Sequence, residues 1–225
     1  MNIHQIFINM DRGDIFTAGN GRFYQSHLMT KKYCEDNGYI YRLWNERDLE
    51  TLSRKALEGK YETFYNQMRH PIQKVDFAKY LILYCFGGIY LDLDISIIFG
   101  KSIHKLFRLN PLIVRWNDSH LPYNAILGCH QSSPLFLEII NQCHSDYLEK
   151  SKIYIYHKWI GRFVFQTTGH YMLQRALKRC GIKKSDYQNI LHIISKGKEI
   201  IAPDPIFLDT NESVWYQEAL KDAKY

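Results

Sequence analysis

Asp92 and Asp94 are the residues of this 225-residue chain best suited to do chemistry. They stand two apart inside an apolar run from Ile89 to Ile98, and residues two apart on a strand point to the same side. Two carboxylates on one face of such a strand repel each other. They are costly to desolvate unless a cation or hydrogen-bond donors satisfy them. A divalent cation with oxygen ligands, Mg²⁺ or Mn²⁺ holding phosphate, meets that need. The plain alternative is a strand that emerges into solvent and ends in polar residues. Ile95, Ile97 and Ile98 beyond Asp94 speak against a frayed end.

The elements that must position this pair can be read on either side of it. Phe77, Ala78, Leu81, Ile82 and Cys85 recur at helical spacing, and Gly87-Gly88 breaks that helix before the strand begins. Asp76 and Lys79 lie one turn apart on it and share a face. Their plain alternative is a solvated surface ion pair, which contributes little.

A first strand is predicted near residues 3 to 8, then a loop containing Gly13, Gly19 and Gly21. A helix from Phe23 to Asn37, ended by Gly38, leads to a second strand over about 39 to 44. Asn45 is positioned to cap the helix that follows. Further helices are expected over Ser133 to Glu149 and His170 to Cys180. Ile190 to Ile194 and Ile200-Ile201 read as late strands forming a small hairpin around Gly197. Alternating strands and helices imply an α/β fold with a mostly parallel central sheet, whose ligands sit beyond the carboxyl ends of the strands.

Composition bounds the rest. With 46% hydrophobic and 23% charged residues the chain can bury one sizeable core. The formal charge of +6 suits a phosphate-bearing ligand without requiring one. Lysines are scattered (Lys31-Lys32, Lys183-Lys184, Lys196, Lys198) rather than interleaved with aromatics, which argues against nucleic acid. The cysteines, Cys34, Cys85, Cys129, Cys143 and Cys180, show no metal spacing and read as free thiols. No apolar run is long enough to span a bilayer, and no signal sequence opens the chain.

The longer pattern, Asp76-x-x-Lys79-Tyr80 followed by Leu83-Tyr84-x-x-Gly87-Gly88-Ile89-Tyr90-Leu91-Asp92-x-Asp94, resembles the sugar-binding region of DXD-motif glycosyltransferases. That family includes fungal initiating and sphingolipid mannosyltransferases and, more distantly, large glucosylating bacterial toxins. The resemblance implies a single GT-A-like (Rossmann-like) nucleotide-sugar-binding domain over residues 1–225. It further implies transfer of a hexose from a UDP- or GDP-sugar to a glycan, lipid or protein acceptor, with retention of configuration. In that reading Asp94 holds Mn²⁺ or Mg²⁺, Asp92 assists or binds the donor ribose, and Asp76 and Lys79 grip the donor hexose. Lys79 stands where relatives carry arginine, keeping the charge but not the bidentate fork.

Other segments resemble the family less closely. Ile3-His4-Gln5-Ile6-Phe7 is similar to its first strand, with Phe7 in place of a tryptophan that packs on the nucleotide base. Plain core is the equal alternative for Phe7. Asn124-Ala125-Ile126-Leu127-Gly128 resembles a segment whose asparagine reaches the donor sugar, and Thr167-Thr168-Gly169 a Thr-Gly-Pro turn with His170 replacing proline. Glu212, Ser213 and Trp215 resemble an element that closes over the diphosphate and metal. Tyr80, Gly87 and Gly88 count as donor-binding through their place in the motif. Secretory-pathway relatives usually carry a membrane anchor, so the expectation here is the cytosol or a viral factory.

Two other classes compete. Asp92-x-Asp94-Ile95-Ser96 also resembles the nucleophile strand of haloacid-dehalogenase-like phosphatases, with Ser195-Lys196 and Asp204 or Asp209 as its other elements. The third class is a sugar-nucleotide-binding module without turnover.

Overall fold

The computed structural model describes residues 1–8, 21–97, 103, 112–116, 121–153, 160–183, 193–195 and 207–209. Strand β1 (Asn2–Ile6) leads to helix α1 (Gly21–Asn37), β2 (Ile40–Trp44), α2 (Glu46–Lys55) and α3 (Glu62–Gln67). Helix α4 (Pro71–Phe86) precedes β3 (Gly88–Leu91), β4 (Ile95–Ile97), β5 (Leu112–Trp116) and β6 (Leu121–Cys129). Helices α5 (Pro134–Lys150), α6 (Ile160–Thr167) and α7 (His170–Arg179) and strands β7 (Ile193–Ser195) and β8 (Phe207–Asp209) complete the order.

The main sheet has the order β2-β1-β3-β6-β5. Strand β1 pairs in parallel with β2 and β3, β6 runs against β3, and β5 runs against β6. Strand β5 therefore points with the first three, and β6 is the reversed member of a mostly parallel sheet. Successive side chains alternate between two apolar layers, as pleating requires. Ile3, Ile89 and Leu91 pack with Tyr33 and Cys34 of α1, whereas Ile6 and Tyr90 join the larger cluster under α2 to α7. Both faces of β3 are covered, so it reads as a continuous apolar run.

Local chemistry explains the boundaries. Asn45 caps α2 by accepting from the Asp48 amide while Asp48 accepts from the Asn45 amide, a reciprocal capping box. Pro71 opens α4, where its missing N–H costs nothing. Gly87 closes α4 at φ 60°, and its N–H donates to the Leu83 carbonyl. Gly88, at φ 98°, lets β3 come so close to β1 that a Cβ there would stand 2.2 Å from the Asn2 carbonyl oxygen. Only glycine tolerates both that conformation and that approach.

One sequence expectation needs correction. The apolar run Ile89 to Ile98 is not one strand: β3 stops at Leu91, residues 92–94 turn, and β4 belongs to a second sheet of order β4-β8-β7. The turn is closed by the Ile95 N–H donating to the Asp92 carbonyl at 2.9 Å. Of the expected late hairpin, the first arm overlaps β7, which pairs in parallel with β8. Ile200-Ile201 lies outside the described residues.

Candidate active site

Because α4 leads through Gly87 directly into β3, it runs back over the sheet, and its early turns lie above the carboxyl ends of β1 and β3. This brings Asp76 and Lys79 over the end of β3, where Asp92 follows Leu91. Strand β6 reaches the same place: Leu91 faces Ile126, and the Asp92 N–H donates to the Ala125 carbonyl at 2.8 Å. Asn124 is the next residue along.

Lys79 is the centre of the resulting cluster. Its Nζ lies 2.9 Å from Asp76 Oδ1 and 3.0 Å from Asp92 Oδ1, and donates to the Asn124 carbonyl at 3.3 Å. An ammonium has three hydrogens, so its donors are fully engaged. Asp76 Oδ1 also accepts from Asn124 Nδ2 at 3.1 Å, and Oδ2 accepts from Thr168 Oγ1 at 3.0 Å. Tyr90 OH donates to Asp92 Oδ1 at 2.9 Å. Tyr80 OH donates to the Thr168 carbonyl at 2.7 Å, tying α4 to the α6–α7 junction.

The surface-ion-pair alternative for Asp76 and Lys79 is excluded, since they are only 4% and 1% exposed. Burial opposes charge on Lys79, but Asp76 and Asp92 outweigh it and hold the ammonium above its ordinary pKa. Burial pushes the Asp76 carboxyl up, against the pull of Lys79 and the Thr168 hydroxyl. Burial and the Asp92 charge also push Tyr90 well up, keeping it a phenol that donates.

Asp92 and Asp94 remain partly exposed in the turn. The Asp92 side chain is 31% exposed, and among the described residues its Oδ2 accepts no hydrogen bond. That oxygen and the Asp94 carboxylate are hard-oxygen groups of the kind Mg²⁺ or Mn²⁺ takes. No group of three or more potential ligands occurs among the described residues, so the rest of a coordination sphere would come from elsewhere. Asp209, the last residue of β8, faces Ile95 beside this turn. Glu212, Ser213 and Trp215 follow it in sequence and lie outside the described residues.

The remaining sequence candidates are spread out. Phe7 follows β1 at the carboxyl edge, partly exposed, its N–H donating to the Trp44 carbonyl at 2.9 Å. The next residue, Ile8, lines a cavity of ≈ 120 Å³ with Glu46, Tyr65 and Lys74, against roughly 10–15 Å³ for one water; Phe7 does not line it. Gly87 and Gly88 lie at the far end of β3 from Asp92; there they serve backbone packing and are not part of the cluster. Tyr80 is fully buried and acts through Thr168. For the phosphatase alternative, Ser195 and Asp209 face each other across β7 and β8 in the second sheet, while Asp92 ends a strand of the first. Sequence reasoning did not count Tyr90, Thr168 or Gln5 among the site residues. Tyr90 could have been found, two residues before Asp92 and on the same face of β3.

A mostly parallel sheet with carboxylates at the end of β3, met by a reversed strand, is the architecture of GT-A glycosyltransferases. The solved structure described as PaToxG glycosyltransferase shares the fold, with a TM-score of 0.57 over 79% of this chain and 68% of that one, at 18% identity. Residues 22–119 match the model of the family described as glycosyltransferase sugar-binding region containing DXD motif. Over that region this chain is similar to the DXD-motif glycosyltransferases.

Inositol phosphoceramide mannosyltransferase 3 of Schizosaccharomyces pombe is 28% identical over 49% of this chain and 30% of its own length. An uncharacterized glycosyltransferase of Acanthamoeba polyphaga mimivirus is 31% identical over 60% of this chain and 51% of its own. The chain thus spans about a fifth to a half of the length of the curated relatives it matches.

Proposed function

We propose that this protein transfers a hexose from a nucleotide-diphosphate sugar, a UDP- or GDP-sugar, to a glycan, lipid or protein acceptor. The observation that carries this reading is the partly exposed Asp92-x-Asp94 turn at the carboxyl end of β3, backed by the buried Asp76–Lys79 pair and the half-buried Asn124. Asp92 and Asp94 would hold Mn²⁺ or Mg²⁺, which supplies Lewis-acid stabilisation of the departing diphosphate. Lys79 acts from below: it balances the charge of Asp92 and fixes Oδ1, so that Oδ2 faces the ligand. Asp76 orients the Asn124 amide through Nδ2. The pair Asp76 and Lys79 thus shapes the donor site through Asp92 and Asn124. Phe7 and the neighbouring cavity lie on the same edge and suit the nucleoside. Retention at the anomeric carbon rests on the family resemblance, and so does the cytosolic expectation. No helix among the described residues is long and apolar enough to cross a membrane.

A panel of UDP- and GDP-sugars with Mn²⁺, scored by thermal shift and donor hydrolysis, tests the reading. At least one donor should bind and be hydrolysed, with hydrolysis lost in Asp94→Ala. If no donor binds, and Asp92→Ala and Asp94→Ala match the wild type, the proposal fails. Binding without hydrolysis or transfer would favour the non-catalytic module.

A further inference from the structure

Gln5 is wholly buried in β1, on the face it shares with Ile3 and α1, and every polar atom of its amide is used. Its Nε2 donates to the Asp92 carbonyl at 3.3 Å and to the Ile95 carbonyl at 3.1 Å. Those carbonyls bracket the turn that carries Asp92 and Asp94. The same two oxygens also accept from Ile95 N–H and from Ser26 Oγ, at 2.9 Å in each case. The turn is therefore gripped at both ends by side chains from β1 and α1.

The orientation of the Gln5 amide is itself determined. Carbonyl oxygens only accept, so Nε2 must face them and Oε1 must face Tyr41. Tyr41 OH donates to Oε1 at 2.8 Å, and burial holds that phenol protonated. Its one proton is thereby committed. His27 Nδ1, 2.7 Å from the Tyr41 oxygen, must then carry a proton and donate. A directed chain runs from α1 through β2 and β1 to the turn: His27 to Tyr41 to Gln5 to Asp92 and Ile95.

We propose that Gln5, oriented by Tyr41 and His27, is the positioning residue that sets the Asp92-x-Asp94 turn for its cation and diphosphate. This rests on the functional reading above. The two carbonyls and the Tyr41 hydroxyl specify the same amide orientation; without that hydroxyl Oε1 has no donor among the described residues, and the amide is held from one side alone. Outer partners of metal ligands typically contribute 10–100-fold in metal affinity or activity.

The test compares the wild type with Tyr41→Phe, Gln5→Met and the double variant, using the donor selected by the panel. The half-saturating Mn²⁺ concentration for hydrolysis should rise roughly tenfold or more in each single variant. The double should be no worse than Gln5→Met, because both act along one chain. Amide exchange at Ile95, measured without metal or donor, should quicken by roughly fivefold as the turn loosens. Unchanged exchange in both single variants overturns the inference, as does a lowered Tm with unchanged Mn²⁺ dependence, which marks a merely structural role. If the wild type hydrolyses no donor, the functional reading fails instead, and the exchange rates still decide whether Gln5 holds the turn.

Discussion

Lys79 of α4 and Asp92 at the end of β3 are joined by an ion pair of 3.0 Å whose lysine side chain is 2% exposed and whose aspartate side chain is 31% exposed. One partner is rooted in the core and the other reaches the surface. The pair thus carries the rigidity of α4 out to a partly exposed carboxylate. Asp76, on the buried side, completes the charge balance.

Replacing Lys79 by methionine should therefore be costly. It leaves Asp76 buried without its counter-charge, a loss on the order of 3–5 kcal/mol. Equilibrium urea denaturation would show it as a lower midpoint at unchanged slope. The added variant Asp76→Asn should recover part of the loss, because it removes the stranded charge.

Thr168 is one of the donors to the Asp76 carboxylate. Thr168→Val keeps the shape and removes the hydroxyl, and should cost about 1.5–3 kcal/mol, the range for hydrogen bonds to charged groups. Thr168→Ser retains the donor and should lie much closer to the wild type in the same denaturation measurement.

Gly88 and Gly38 separate crowding from backbone conformation. Both have positive φ, 98° and 66°, but nothing lies within 4 Å of a Cβ built on Gly38. Gly38→Ala should cost about 1 kcal/mol for its backbone conformation alone. Gly88→Ala adds a clash with the Asn2 backbone and should cost at least about 3 kcal/mol more or abolish folding. Thermal denaturation of the two variants gives the comparison.

His4 makes folding sensitive to acid. Its Nε2–H donates to the Gly87 carbonyl at 2.9 Å, and Nδ1 accepts from the Trp44 indole at 3.3 Å. A proton on Nδ1 would point at another donor, and burial lowers the pKa to about 4 from 6.5. Between those values the unfolded chain takes up a proton that the folded chain refuses. Stability is thus fully present above pH 6.5, falls as pH drops through that window, and loses on the order of 3 kcal/mol from this group by pH 4. His170, also lowered to about 4 by burial, adds in the same direction. Denaturation midpoints measured from pH 7.5 to 4 should show the slope, reduced in His4→Gln.

What the sequence could reveal follows from how far each signal reaches along the chain. Helix α4, its glycine stop and the Asn45 cap were legible because helical periodicity, left-handed turns and capping are local. The division of Ile89 to Ile98 between two sheets was not. Apolar residues fill both β3 and β4, and periodicity carries no mark of which sheet each will join. The reversed direction of β6 was equally hidden, since strand direction is set by the chain's path. Asp76, Lys79 and Asp92, which the structure brings together, were legible as candidates because they lie within one motif. Gln5 and Thr168 were missed because they reach the site from 87 and 92 positions away.

The turn at residues 92–94 also serves as the covalent joint between the two sheets. Strand β3 is registered against β1 and β6, and β4 against β8, so both ends of a three-residue connector are clamped. Such a connector has no slack. Its side chains are open to exchange, but its length is not: losing one residue would slide β4 by one position and put Ser96 where Ile95 or Ile97 now sits. The spacing of the two carboxylates is thus set by the length of this joint before any demand of catalysis.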